Sequence, residues 1–200
     1  MIKTVICDLG GVYFTDGSAR AIERISATYE IAIDQVSDVL MGELGSRYRC
    51  GEIKAAQFWD RAKQNWDLQV PTDEIASIWL HAYEPIEGTV ALIDRLRAAG
   101  YEMLFLSDNV QERIDYLENT YEFLHRFEDG VFSHRVGLRK PDPKIYELTL
   151  AKASHTAIQC VFIDDKPQML EPAQKLGMSA IAFETPGQLE RDLKHLGIAI

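Results

Sequence analysis

The chain has 200 residues, 46% of them hydrophobic and 26% charged, with a formal net charge of −10. That is ordinary globular composition, enough for one domain with an insertion or for two small ones. The acidity argues against nucleic acid and anionic membranes as main partners, since both select basic surface, and no apolar run approaches the ~18 residues of a membrane span.

In chain order, Ile2–Cys7 is a short apolar run that Asp8 ends. It is too short for the apolar region of a signal peptide, and no small-residue cleavage site follows. Three cysteines, Cys7, Cys50 and Cys160, are odd in number and irregularly spaced, as reduced thiols of a cytoplasmic protein would be. From about Asp16 to Glu87 no convincing strand appears. Four helical patterns fit instead, Ser18–Tyr29, Asp34–Leu44, Lys54–Trp66 and Thr72–Ala82, with Phe58, Trp59, Trp66 and Trp79 as their core. Arg47, Tyr48 and Arg49 precede Gly51 in an expected loop, where they would meet anionic or hydroxyl groups of a substrate or form a solvated basic turn.

After this stretch strands and helices alternate. Glu102–Leu106, Cys160–Ile163 and Ser179–Phe183 have the length and composition of buried strands, and Gly130–Ser133 is a weaker candidate. Helices are expected over Thr89–Ala99, Glu112–Tyr121, Pro143–Ala153, Pro167–Lys175 and Pro186–His195, with Gly100 and Gly177 at C-caps. The alternation predicts an α/β fold, a doubly wound parallel sheet with helices on both faces. Residues 1–15 and 88–200 would form this core and 16–87 an inserted helical cap.

Open α/β sheets carry their sites at the carboxyl ends of strands, and four polar signals stand there. Asp8, followed by Gly10 and Gly11, is a carboxylate able to act as a nucleophile toward phosphorus. Ser107, with the adjacent N–H groups of Asp108 and Asn109 and the start of the next helix, suits phosphate oxygens. Lys140 offers a compact positive charge. Asp164 and Asp165, brought beside Asp8, would repel strongly without a cation among them, and Mg²⁺ is the natural one.

The segments Ile6–Val12, Phe105–Asn109, Gly137–Tyr146 and Val161–Asp165 together resemble the four motifs of the haloacid dehalogenase superfamily. The resemblance extends over nearly the whole chain. It is closest to the helical-cap subgroup that includes sugar-1-phosphate phosphatases and the phosphatase domain of soluble epoxide hydrolases; Arg49–Ile53 also looks like that subgroup. The resemblance implies Asp8 as nucleophile, Ser107 as phosphate binder and Lys140 as the bridge between nucleophile and phosphate. It further implies Asp165 as a direct Mg²⁺ ligand, Asp164 beside it, and the carbonyl of Gly10 as another. Two positions depart from the pattern. Gly10 stands where the family's phosphatases carry a second Asp as general acid and base. Asp108 stands where the subgroup commonly has Asn, so its carboxylate should either point away or carry a proton when substrate binds.

The expected function is hydrolysis of a small phosphorylated metabolite. A binding module without turnover, supported by Gly10 and Asp108, is the alternative. A dehalogenase is less favoured because those enzymes need no metal. With no acid at residue 10, turnover should depend steeply on the leaving group. Gly10→Asp should relieve that dependence unless the backbone there needs φ > 0. The sequence carries no sign of oligomeric state.

Overall fold

The computed structural model describes residues 1–200. Five strands, β1 (Thr4–Cys7), β2 (Glu102–Ser107), β3 (Asp129–Phe132), β4 (Cys160–Asp164) and β5 (Ser179–Ala182), form one parallel sheet in the order β3-β2-β1-β4-β5. The weakest sequence candidate, Gly130–Ser133, is the edge strand β3, with Ser133 already turned into the next helix. Val5, Cys7, Met103, Phe105, Val161 and Ile163 pack on one side of the sheet. Ile6, Leu104, Leu106, Cys160 and Phe162 pack on the other. Both faces are covered, so the strands read as continuous apolar runs.

Between β1 and β2 the chain makes α1 (Gly17–Tyr29), α2 (Ile33–Met41), α3 (Glu43–Arg49), α4 (Ala55–Asn65) and α5 (Thr72–Leu80), and then α6 (Glu87–Ala98). Farther on come α7 (Gln111–Tyr121), α8 (Ser133–Val136), α9 (Pro143–Leu150), α10 (Leu170–Lys175) and α11 (Pro186–His195). Local chemistry sets many of their ends. Asp16 caps α1 by accepting from the N–H groups of Ser18 and Ala19. Asp142 caps α9 ahead of Pro143, and Thr185 with Gln188 forms a capping box on α11. Gly100 and Gly177 follow their helices with φ of +87° and +91°, the conformation a C-terminal glycine supplies.

Three helices depart from expectation. The pattern Asp34–Leu44 is two helices, broken at Gly42, where ψ is −155°. A Cβ at Gly42 would lie 2.2 Å from the Asp38 carbonyl oxygen, so the break needs a glycine. Arg47, Tyr48 and Arg49 therefore sit in α3 rather than in a loop. Gly42 and Gly51 stand on either side of this short helix and Gly45 lies within it, which hides it from a periodicity reading. The pattern Pro143–Ala153 ends at Leu150, because Lys152 and Ala153 bond back three residues and tighten the last turn. The pattern Pro167–Lys175 begins as a 3₁₀ turn, Pro167–Met169, before α10.

Phe58, Trp59, Trp66 and Trp79 are all buried among α1–α5. Phe58 stacks on Tyr48 with ring centroids 4.4 Å apart, and Trp59 meets Trp79 edge-on at 5.6 Å. The chain enters and leaves this helical stretch side by side. Thr15 N–H donates to the Glu84 carbonyl at 2.9 Å, and Ile86 N–H donates to the Tyr13 carbonyl at 2.8 Å.

The winding direction reverses at β1, because β2 and β3 lie on one side of it and β4 and β5 on the other. Such a reversal opens a crevice at the carboxyl ends of the strands. Cys7 is level with Phe105 and with Ile163, so Asp8, Ser107 and Asp164-Asp165 arrive there together.

Candidate active site

Asp8 N–H donates to the Ile163 carbonyl at 2.8 Å, which carries the β1–β4 pairing one residue past the strand. The Asp8 side chain is buried. Its Oδ1 accepts from Leu9 N–H at 2.7 Å, and its Oδ2 lies 3.0 Å from Lys140 Nζ. The same ammonium donates to Asp164 Oδ2 at 2.6 Å, and Asp164 Oδ1 accepts from Lys166 N–H at 2.9 Å. Asp165 completes the group: carboxylate oxygens of Asp8, Asp164 and Asp165 lie within 4.8 Å of one another.

Three carboxylates thus converge on one ammonium that pairs with two of them. Burial pushes the Asp8 carboxyl up to about 7; Lys140 opposes the shift, and Asp164 and Asp165 add to it. Burial also raises Asp165, with Lys166 opposing and Asp164 reinforcing. For Lys140, burial alone would lower the pKa, but Asp8, Asp164 and Asp108 outweigh it and hold the ammonium above its ordinary value. Asp165 Oδ1 is buried with no hydrogen-bond partner. An orphaned carboxylate oxygen, in a set of hard oxygen donors with excess negative charge, fits Mg²⁺.

Of the two glycines after Asp8, the second is the one that the backbone requires. Gly11 has φ of +90°, and a Cβ there would come within 2.4 Å of Asp165 Cγ. Gly10 is not among the positive-φ residues, and a Cβ on it would meet only Tyr83 Cε1, at 3.6 Å. The condition attached to Gly10→Asp therefore falls on its neighbour.

Ser107, the last residue of β2, is buried. Asp108 is held by both of its oxygens: Oδ1 accepts from Lys140 N–H at 3.1 Å and Oδ2 from Arg139 Nε at 3.3 Å. Its charge is thus met by Arg139, which lies within the Gly137–Tyr146 motif and to which sequence alone assigns no role. Asn109 Oδ1 is used locally, accepting from Val110 N–H at 3.0 Å and from Arg113 Nη1 at 3.3 Å. Asn109 thereby shapes the turn that presents Ser107.

These residues floor a cavity of about 270 Å³. Of the residues nominated from sequence, Asp8, Gly10, Ser107, Asp108, Asn109, Lys140 and Asp164 line it, and Asp165 lies behind Gly11. The facing wall comes from the helical stretch and its ends: Asp16, Ser18, Met41, Arg49 and Tyr83. Arg49 is buried, and its Nη1 donates to the carbonyls of Leu40 at 2.6 Å and Gly45 at 3.2 Å. Burial, with Arg113 nearby, lowers its pKa to about 10. Arg49 and Tyr48 are therefore not solvated, whereas Arg47, though in a helix rather than a turn, pairs with Glu52 at the surface. Arg113 is also buried. Its guanidinium lies 3.6 Å from the Trp79 ring centroid and 4.2 Å from that of Tyr83, and its Nε and Nη2 have no partner. On an amphipathic helix such an arginine reads as an ordinary polar position; only its neighbours mark it.

The sequence profile of the haloacid dehalogenase-like hydrolases matches residues 43–183. A protein of Dictyostelium discoideum is 28% identical over 149 residues, covering 70% of this chain, and the chain spans 62% of that relative's length. A sesquiterpene phosphatase of Aspergillus oryzae is 23% identical over 180 residues, covering 88% of this chain and 87% of its own. Among solved structures, a HAD family enzyme from Bacteroides thetaiotaomicron in complex with magnesium and inorganic phosphate has the same fold. It superposes with a TM-score of 0.77 at 22% identity, covering 92% of this chain and 96% of the other.

Proposed function

The chain belongs to the haloacid dehalogenase-like hydrolases, and from that premise we propose that it hydrolyses a small phosphorylated metabolite, in the class of sugar phosphates, through an aspartyl phosphate on Asp8 with Mg²⁺ as cofactor. Residues 1–15 and 88–200 serve as the catalytic α/β core, and 16–87 as a cap that closes the cavity. The observation that carries this reading is the convergence of Asp8, Asp164 and Asp165 at the sheet end, with the Lys140 ammonium paired to the first two.

Lys140 and the Leu9 N–H orient the Asp8 carboxylate, and one of its oxygens attacks phosphorus. The Ser107 hydroxyl and the Asp108 N–H take the non-bridging phosphoryl oxygens, since the N–H groups of Asn109 and Val110 already donate to Ser133 Oγ and Asn109 Oδ1. Lys140, between Asp8 and Asp164, stays charged throughout and offsets charge on the transferring group. Asp8, Asp164, Asp165 and the Gly10 carbonyl are the groups that would hold Mg²⁺. When bound, the ion would neutralise the carboxylate excess and act as a Lewis acid toward phosphoryl oxygens. Water then cleaves the aspartyl phosphate and restores Asp8. The presence of magnesium and phosphate in the Bacteroides relative supports the same chemistry here.

The test is a panel of phosphomonoesters assayed with Mg²⁺ and with excess chelator, on the wild type and on Asp8→Asn. Activity should require the metal and fall to background in the variant. Wild-type activity in Asp8→Asn, or undiminished turnover in chelator, would refute the mechanism. No turnover of any ester, with Mg²⁺ shown to bind, would favour the binding module.

A further inference from the structure

Breaking a phosphate ester leaves charge on the departing oxygen, and Gly10 offers no acid to meet it. We propose that the Tyr83 hydroxyl, paired with Ser18, donates the proton to the leaving-group oxygen from beside the place that a side chain on residue 10 would take. This rests on the phosphohydrolase reading above.

Four observations place the ring. A Cβ on Gly10 would touch Tyr83 Cε1 at 3.6 Å, so one ring edge borders the space in front of that glycine. A Cβ on Gly17 would lie 2.2 Å from Tyr83 Cδ2, so the opposite edge packs directly on a second glycine. The Arg113 guanidinium covers a ring face at 4.2 Å and is backed by Trp79 at 3.6 Å. Finally, the Tyr83 hydroxyl is 2.7 Å from Ser18 Oγ, and both residues line the cavity that holds Asp8 and Lys140. A phenol fixed on three sides and hydrogen-bonded at its tip is pre-organised as a donor.

The other acids on the wall are engaged as acceptors. Asp16 takes the Ser18 and Ala19 N–H groups, and Asp108 takes Arg139 and the Lys140 N–H. In the first half-reaction an Asp8 oxygen bonds to phosphorus and the ester P–O bond breaks. The departing oxygen keeps the electron pair and takes the Tyr83 proton, so the products are a neutral alcohol, the aspartyl phosphate and a phenolate. In the second, water attacks phosphorus and gives one proton to the phenolate. Inorganic phosphate leaves, and Asp8 returns as carboxylate.

The experiment is a series of phosphate esters from 4-nitrophenyl to simple alkyl, assayed with Mg²⁺ on wild type, Tyr83→Phe, Ser18→Ala and the double variant Tyr83→Phe/Gly10→Asp. Tyr83→Phe should lose about 10²–10⁴-fold in kcat/KM on alkyl esters, the usual contribution of a positioned acid. The kcat/KM for 4-nitrophenyl phosphate, which reports only the steps up to release of a leaving group that needs no proton, should change little. Ser18→Ala should show a smaller loss of the same kind, and Gly10→Asp should restore alkyl turnover to Tyr83→Phe. An equal loss on every ester, or a leaving-group dependence shared with wild type, would overturn the proton-donor role and leave the phosphohydrolase reading standing. A wild type inactive on all esters would overturn both.

Discussion

Asp165 and Asp164 are adjacent carboxylates in one cluster, yet the structure assigns opposite signs to the loss of their charges. Both Asp164 oxygens are hydrogen-bonded, to Lys140 Nζ and to Lys166 N–H, whereas Asp165 Oδ1 has no partner. In metal-free protein Asp165→Asn therefore removes a repelling charge at little cost in contacts. The amide still leaves that position without a partner, so what the variant relieves is the extra cost of burying a charge there, on the order of 1–3 kcal/mol. At this chain length each kcal/mol shifts Tm by about 2–4 °C, so the variant should melt roughly 2–12 °C above wild type in chelator. Mg²⁺ at 100 times its dissociation constant stabilises wild type by about 2.7 kcal/mol. Asp165→Asn should forfeit most of that gain, so the two melting temperatures should cross as Mg²⁺ is added. Asp164→Asn, which weakens the bonds that hold Lys140 in place, should melt below wild type in chelator. The assay is thermal unfolding by circular dichroism across a Mg²⁺ titration. If Asp165→Asn melted below wild type in chelator, or responded to Mg²⁺ equally, the carboxylate-excess argument would be refuted.

Two further outcomes can be checked independently. Arg139→Ala should weaken inhibition by inorganic phosphate by about tenfold or more, since it leaves Asp108 facing the cavity without its cation and each ~1.4 kcal/mol is tenfold in affinity; Arg139→Ala/Asp108→Asn should recover most of it, and an unchanged inhibition constant in the single variant would show that the pair does not matter. In native protein at pH 8 a thiol reagent should modify Cys50 well ahead of Cys7 and Cys160. The last two are buried, and burial, with Asp8 beside it, pushes the Cys7 thiol up to about 12; rapid labelling of all three would show that the sheet opens readily.

The sequence alone determined the parallel sheet, its strand ends and the acids, serine and lysine standing there. Those signals are local: a short apolar run, a polar residue just past it and a capping residue are all neighbours in the chain. The helical character of α1–α5 was legible for the same reason, but the break at Gly42 was not, because it turns on a single contact with the Asp38 carbonyl. Tertiary structure decided which residues face the acids. Arg139 meets Asp108 only because the turn after β2 abuts the segment before α9. Tyr83 meets Gly10, Gly17 and Arg113 only because the chain leaves β1 and returns from α5 along one path. None of these has a periodicity or spacing to betray it, because side chains far apart in sequence are brought together only by the packing of whole elements.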